Sequence, residues 1–471
     1  MQICQDAECD SNCVDYYIWT VNRSSIVFFN VGDDIINGDL VRIVVINTIG
    51  KKERPIVPSE RNRENQIYIW FEYSEEGNDT NMIVIKKKQL AKSVAKALPL
   101  TVMSLLLFAK LKKGKSVKAV HLKKPRRVMD PAMASGQKVT WDCVWFGSYP
   151  QREVIADESS YDAVFRGDDS DPGYYNKETD VIEDAELFSE LENATGWDKH
   201  GDITIGNSKY RRLKTEDATY GKFKRNVHYK WDDSTSYHYF KYEPIKWRVL
   251  DVNSNDAFLL ADIALDSKKY NAERVGITWE KSTIRSWLNG YGSSENTGDI
   301  DYIDSNFIVS AFTLSQRRAI KIANVVNEYN IKYDTVGGND TKDKIFLLSE
   351  SEVYNTEDAQ LYGFVKDSDI FDEGRMSKSS TYAKAMGAYS NTCSGNCLWW
   401  LRSPGSTIYD ADDVSNYGSV SAHGSYVDTN YDVVRPALHL DISSSDFWSY
   451  AGTVCSDGTV NEVAIIDTAS Y

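Results

Sequence analysis

Two apolar segments, each carrying one arginine, bracket a run near the C-terminus that lacks the residue types of an ordinary loop or core. The first segment is 397–405 (Cys-Leu-Trp-Trp-Leu-Arg-Ser-Pro-Gly) and the second is 433–440 (Val-Val-Arg-Pro-Ala-Leu-His-Leu). Between them, residues 405–432 contain only Tyr, Ser, Asp, Asn, Thr, Gly, Ala and Val, with one Ile and one His. Lys, Arg, Glu, Gln, Leu, Met, Phe, Trp, Cys and Pro are all missing. Rigid, amphipathic tyrosines among small hydrogen-bonding residues are the composition of a paratope. The flanking segments read as buried strands, so the expected picture is a fixed frame holding a recognition surface outward.

Tyr409, Tyr417, Tyr426 and Tyr431 would then stack on sugar faces or bury against a partner protein. Asp410, Asp412, Asp413, Asn416, Asp428 and Asn430 would hydrogen-bond ligand hydroxyls, with His423 on the same surface. The alternative is an ordinary surface sheet with polar turns. Arg402 and Arg435 lie in otherwise apolar strands, where a charge must be paired or hydrogen-bonded. They therefore read as structural, as do Trp399 and Trp400.

Charge is unevenly distributed. Residues 1–81 hold 7 basic and 14 acidic residues, net −7, and residues 82–138 hold 15 Lys/Arg against one acid, net +14. With a total of −15, residues 139–471 must carry −22. So acidic a region repels phosphates, which argues against nucleic acid as a partner. Membrane contact is expected only through the basic stretch 86–127.

Four segments follow. Residues 1–81 form a small β-rich unit, with strand-like runs at 26–29, 40–46 and 66–71. Residues 82–138 have the layout of an export signal: lysines 86–88, an apolar run within 95–111, and a small-residue site at 132–134. The run is short for a membrane span. A signal should open a chain, so one explanation is a true start at Met82; the alternative is a buried helix followed by a basic linker. Residues 139–445 form the main domain and 446–471 a peripheral tail.

Within the main domain, 140–150 reads as a strand and 181–197 as a helix. Segments 242–252 and 257–265 read as paired strands around the turn 253–256. Ser282 caps a helix that stops at Gly290. Thr313 with Gln316, and Ser349 with Glu352, are capping boxes; the first helix is expected to reach about Val325. A short strand is expected at 344–348, a helix capped by Ser380 at 381–386, and further strands from 398 to 440. Strands first, helices in the middle and strands again, with no βαβ repeat, give an α+β, loop-rich mixed sheet with a few short helices.

No catalytic signature stands out. The six histidines make no ligand pattern, and no phosphate loop, nucleophile elbow or dinucleotide fingerprint is present. No cofactor and no metal ligands are expected. An acidic loop at Asp168, Asp169 and Asp171 departs from the EF-hand pattern and reads as a solvated turn. Cys393 and Cys397 lack the redox C-x-x-C spacing.

Several motifs in order resemble a bacterial family, domain of unknown function 6273. They are Trp-x-x-x-Trp-Phe-Gly-Ser-Tyr-Pro-Gln at 141–151, Pro-Ile-Lys-Trp-Arg-Val-Leu at 244–250, and Ser-x-Ile-Arg-x-Trp-Leu-Asn at 282–289. Asp-Lys-Ile-Phe-Leu-Leu-Ser at 343–349, Trp-Trp-Leu-Arg-Ser-Pro-Gly and Val-Arg-Pro-Ala-Leu complete the series. The resemblance covers about 140–440 and implies no particular activity. The closing Leu-Arg-Ser and Val-Arg-Pro pattern is also similar to the C-type-lectin-like modules of formylglycine-generating enzymes and of variable proteins made by diversity-generating retroelements. It implies a C-type-lectin-like fold, and the 405–432 composition matches the residues that adenine-directed mutagenesis reaches.

The function expected is non-catalytic binding of a glycan or protein ligand by an exported or cell-surface protein. The alternatives are an oxidase resembling the formylglycine-generating enzymes, using Cys393 and Cys397, and a structural envelope module.

Overall fold

Trp141, Trp247, Trp399 and Trp400 are buried completely in one continuous apolar core, and the strands that carry them set the architecture. The structure is a computed structural model. It describes residues 121–157, 180–218, 236–330, 332–354, 362–366, 371–391, 394–444 and 446–463 throughout, and elsewhere the backbone of Leu361 and of nine strands. The chain divides into two units, Met1–Ala119 and Val120–Tyr471.

In the first unit, Gln2–Cys4, Cys13–Val21 and Ser24–Phe29 form one antiparallel sheet. Leu40–Ile46, Gln66–Glu72 and Val84–Ile85 form another. The second sheet runs past the boundary expected at 81, because Val84–Ile85 pairs with Phe71 and Glu72. The apolar run of the signal-like segment lies outside the described residues.

The second unit is built on β1 (Gln137–Ile155), β2 (His238–Asn253), β3 (Asp256–Ala261), β4 (Asp266–Ser267), β5 (Trp399–Pro404), β6 (Asp410–Val414), β7 (Val420–Tyr426), β8 (Val433–Val434), β9 (Ala437–Asp441) and β10 (Ser449–Cys455). One long sheet has the order β9-β3-β2-β1-β10. A second sheet has the order β4-β8-β5-β6-β7, antiparallel except between β5 and β8. β1 and β2 pair over most of their length, with register shifts near Pro150 and Pro244, where proline cannot donate to a regular ladder. The hairpin of β2 and β3 turns at 253–256, where expected.

The helices are short: α1 (Ala185–Asn193), α2 (Thr283–Asn289), α3 (Phe307–Ala311), α4 (Leu314–Ala319), α5 (Glu350–Val353) and α6 (Thr381–Ala385). Their starts follow the caps read in the sequence, with Ser282, Thr313, Ser349 and Ser380 each accepting from an N–H three residues on. The unit is sheet-rich with a few short helices, an α+β arrangement.

Four expectations are corrected. The helix expected over 181–197 starts only at Ala185, because β-branched Val181 and Ile182 join β1 as a short parallel strand first. α4 ends at Ala319 rather than near Val325, since Ile320–Lys321 pairs with β9 and Ala323–Val325 with Thr341–Asp343; sheet pairing of β-branched residues overrides continued helix. The domain starts before 139, because Arg126–Met129 pairs with Gln137–Thr140 across the 130–136 turn. That turn holds the small-residue site, with the N–H of Ala134 and Ser135 on Glu373. The tail after 446 is not peripheral. β10 lies beside β1, and Ala451 and Val454 pack on Cys143; serines and threonines concealed its alternation.

The two sheets share two short chain crossings. Residues 262–265 lead from β3 to β4, and Arg435 with Pro436 leads from β8 to β9. Arg435 is fully buried there. Its Nε donates to the Ala261 carbonyl at 2.8 Å, Nη2 to Asp262 at 3.3 Å and Nη1 to Arg375 at 3.2 Å. The side chain joins both crossings and also lies over Trp399, 4.9 Å from the ring centre.

Candidate functional site

β6 reads Asp-Ala-Asp-Asp-Val and is buried at all five positions. Three carboxylates in a central strand need compensation, since an unpaired buried charge is expensive. Each finds a different answer. Asp410 Oδ2 accepts from the hydroxyls of Thr407 at 2.7 Å and Ser406 at 3.3 Å. Its main chain also closes the same loop onto Gly405 and Thr407.

Asp412 has partners other than those of Asp413, at a register shift in the strand. Its Oδ1 accepts from Asn330 at 3.3 Å, and its buried Oδ2 meets no ordinary donor. The carboxyl is hydrogen-bonded to Glu350. Burial, then the charges of Glu350 and Asp413, push Asp412 up to about 10. It is therefore protonated at neutral pH and donates to the Glu350 carboxylate. Burial also raises Glu350.

Asp413 accepts from Ser425 Oγ at 3.0 Å. Thr429 Oγ1 donates to Asp432 Oδ2 at 3.3 Å. Burial raises both carboxyls, and the charge of Asp413 raises Asp432 further.

The eleven residues expected to meet a ligand are thus divided by depth. Tyr409, Tyr417, His423 and Tyr426 are exposed, and Asp428, Asn430 and Tyr431 are half-buried. Asp410, Asp412, Asp413 and Asn416 are buried, so their expected contact with ligand hydroxyls is corrected. Asp410 and Asp412 serve internal hydrogen bonds, and Asn416 lies in the turn between β6 and β7, its carbonyl accepting from Asn396 at 3.1 Å.

The exposed rings have neighbours from distant segments. Arg274 lies 3.3 Å over the Tyr426 ring centre, Phe371 stacks on Tyr417 at 5.2 Å, and Tyr333 meets His423 edge-on at 6.1 Å. Sequence reasoning missed Arg274, Tyr333, Phe371 and Glu350. Glu350 carried a usable signal, since an acid in the first turn after the Ser349 cap has a fixed direction. The other three have none, because only the fold brings them to 405–432.

The frame residues are buried. Arg402 donates to the Leu347 carbonyl at 2.8 Å, to Val326 at 3.0 Å and to Glu352 Oε2 at 2.5 Å. Glu352 also caps the N–H of Ser349, so the frame arginine is tied to the capping box of α5. Trp400 donates to the Lys268 carbonyl and Trp399 to that of Arg375. Among the described residues, no group of three or more His, Cys, Asp or Glu is placed to hold a metal. Asp168, Asp169, Asp171 and Cys393 lie outside the described residues.

Residues 254–442 match the family model of a domain of unknown function (DUF6273). The match takes in both sheet crossings, the frame arginines and all of 405–432, and leaves out β1 and β2, which the motif order had included. No curated protein matches the chain, and no solved structure does.

The Asp412–Glu350 pair makes stability depend on pH. Asp412 keeps its proton in the folded chain up to about 10, whereas the unfolded chain loses it near 4. The pair's contribution is complete below the unfolded value and falls as pH rises through the folded one. In Asp412→Asn, the amide still accepts from Asn330 and donates to Glu350 but does not titrate. Between neutral pH and pH 10 the wild type is expected to lose up to about 1.4 kcal/mol per pH unit more than the variant. Urea unfolding across that range measures the difference, and parallel curves would remove the shared proton.

Proposed function

We propose that this chain is a non-catalytic binding module, C-type-lectin-like in build, of an exported bacterial surface protein. Its ligand is a glycan or a protein. The contact surface comprises the exposed Tyr409, Tyr417, His423 and Tyr426, with Asp428, Asn430 and Tyr431 at the rim. One observation carries this reading: the run 405–432 buries the carboxylates of Asp410, Asp412, Asp413 and Asp432 and exposes the rings of Tyr409, Tyr417 and Tyr426. Tyr409, Tyr417 and Tyr426 are 45%, 51% and 48% exposed, on turns and strand ends held by a buried frame. Such rings lose little entropy on binding and offer both apolar area and a hydroxyl.

Glycan and protein arrays probed with the whole chain test the reading. A Tyr417→Ala/Tyr426→Ala double variant is expected to keep its circular dichroism spectrum and to bind at least about tenfold more weakly. Unchanged binding would remove this surface from the proposal.

The oxidase reading gains nothing from Cys397. That thiol is wholly buried, donates to the Ser377 carbonyl at 3.1 Å, and is pushed by burial up to about 11. A reactive cysteine needs an accessible thiolate. Export rests on the basic and apolar layout of 86–111; among the described residues no helix is long and apolar enough to cross a membrane.

A further inference from the structure

We infer that the ligand of the tyrosine face is a protein, held jointly by 405–432 and by three residues from distant segments, Arg274, Tyr333 and Phe371. The partner's own patch is apolar at its centre and basic at its rim. The inference rests on the binding role proposed above and narrows it to one class of ligand.

The run is too small a surface to hold a protein by itself. Six of its 28 positions are exposed, whereas a stable protein interface takes about 20–30 residues a side. Three of the exposed rings are each met by an exposed side chain from elsewhere: Arg274 on Tyr426, Tyr333 on His423 and Phe371 on Tyr417. The segments that carry these side chains are fixed to the run. On either side of Arg274, the N–H of Asn271 donates to the Val427 carbonyl and that of Ile277 to Ile408, both at 2.8 Å. Before Tyr333, the fully buried Asn330 donates its amide to the carbonyls of Pro404 at 2.9 Å and Ala422 at 2.8 Å. Its Oδ1 accepts from the Tyr333 N–H, and Thr335 adds a bond to the Ser406 carbonyl at 3.0 Å. Next to Phe371, Asp372 sets its carbonyl against Gly418. The rings and their neighbours are therefore presented ready-formed, which spares a partner the entropy of ordering them.

The available chemistry separates protein from glycan. Sugar hydroxyls are read by polar side chains that converge on them. Asp410, Asp412, Asp413, Asn416 and Asp432 are buried, and Asn330 spends its amide on the main chain. What is exposed is aromatic and aliphatic, with Ile408 next to Tyr409 and Val336 next to Thr335. Tyrosine, phenylalanine and arginine, with few lysines and glutamates, are the composition of a protein interface centre. The charges of Arg274 and Lys332 are offset by Glu273 and Asp334, all exposed. The net −22 of residues 139–471 therefore sets the field, which draws a basic partner and repels an acidic one.

The test probes a phage-displayed library of random dodecapeptides, and in parallel a glycan array, with the full chain. Selected peptides are expected to combine aromatic or branched side chains with Lys or Arg. The tightest peptide, followed by fluorescence anisotropy, should bind Tyr333→Ala and Phe371→Ala each at least about fivefold more weakly. Thermal midpoints should hold, because both rings are exposed. Val460→Ala removes an exposed side chain at the edge of the long sheet and should bind as the wild type does. Unchanged affinity in Tyr333→Ala and Phe371→Ala, with loss only in Tyr417→Ala/Tyr426→Ala, overturns the inference and leaves the binding role of 405–432 standing. Ligands found only among the glycans, and lost in that double variant, do the same, as do selected peptides that lack a basic residue. Peptides held equally by every variant, or no ligand in either collection, overturn both.

Discussion

Replacing Arg435 by methionine is expected to cost about 3–5 kcal/mol, enough to unfold much of the population near body temperature. Methionine fills most of the space over Trp399 but donates nothing. The carbonyls of Ala261 and Asp262 lose the guanidinium that holds the β3–β4 crossing to the β8–β9 crossing. Each buried acceptor left bare costs about 1–3 kcal/mol. Arg375 is less affected, because its carbonyl also takes the Trp399 indole at 3.0 Å, and that of Asp262 keeps the Ser377 hydroxyl at 3.4 Å. Lysine should rescue poorly, since one ammonium cannot span three carbonyls set in a fork. Arg152→Met is the control: its pair with Glu243 sits on a side chain 41% exposed and is worth up to about 1 kcal/mol. Urea unfolding of both variants separates the cases, and equal midpoints would show that Arg435 does not pin the sheets.

The role of Arg435 was half legible. An arginine between valine and proline in an apolar run had to be buried and bonded, and that follows from burial cost alone. That it joins two sheet crossings was not legible, because its acceptors in the other crossing lie 174 and 173 positions away. Local signals carried over well where hydrogen bonds are local. The Ser282, Thr313, Ser349 and Ser380 caps start helices where the residues say they should. The ends of elements depended on distant partners. Ile320 leaves the helix because β9 offers it a place in a sheet.

The site was misread in depth for a related reason. Asp410, Asp412 and Asp413 look like surface residues by composition, and composition does not record protonation or an internal hydroxyl partner. Asp412 is tolerated inside because it is bonded to Glu350, 62 positions away in the chain. Tyr409, Tyr417 and Tyr426 are exposed and Tyr431 is half-buried, since a ring at a glycine- and serine-rich turn has little to bury against.

The turn that presents Tyr417 depends on a single backbone position, and Gly418→Ala is expected to destabilise the chain by about 3 kcal/mol or more. Gly418 has φ +78°, where L side chains are strained. A methyl group there would also fall on the Asp372 carbonyl oxygen and come within 2.9 Å of its carbon. Asp372 cannot give way. Its carbonyl takes the N–H groups of Arg375 and Met376, and its carboxylate takes those of Val365 and Gly374. Arg375, itself fully buried, donates Nε to the Gly418 carbonyl at 2.6 Å. Gly136 has a similar φ of +69° but nothing within 4 Å of the added methyl. Gly136→Ala therefore isolates the conformational cost, about 1 kcal/mol. The excess in Gly418→Ala measures the clash with Asp372. If thermal unfolding gives the two variants the same loss, the turn is free to move and Tyr417 is not held. If the excess appears, Gly418→Ala should also weaken ligand binding while leaving every tyrosine in place, because the Phe371–Tyr417 stack is fixed only while this turn rests on Asp372.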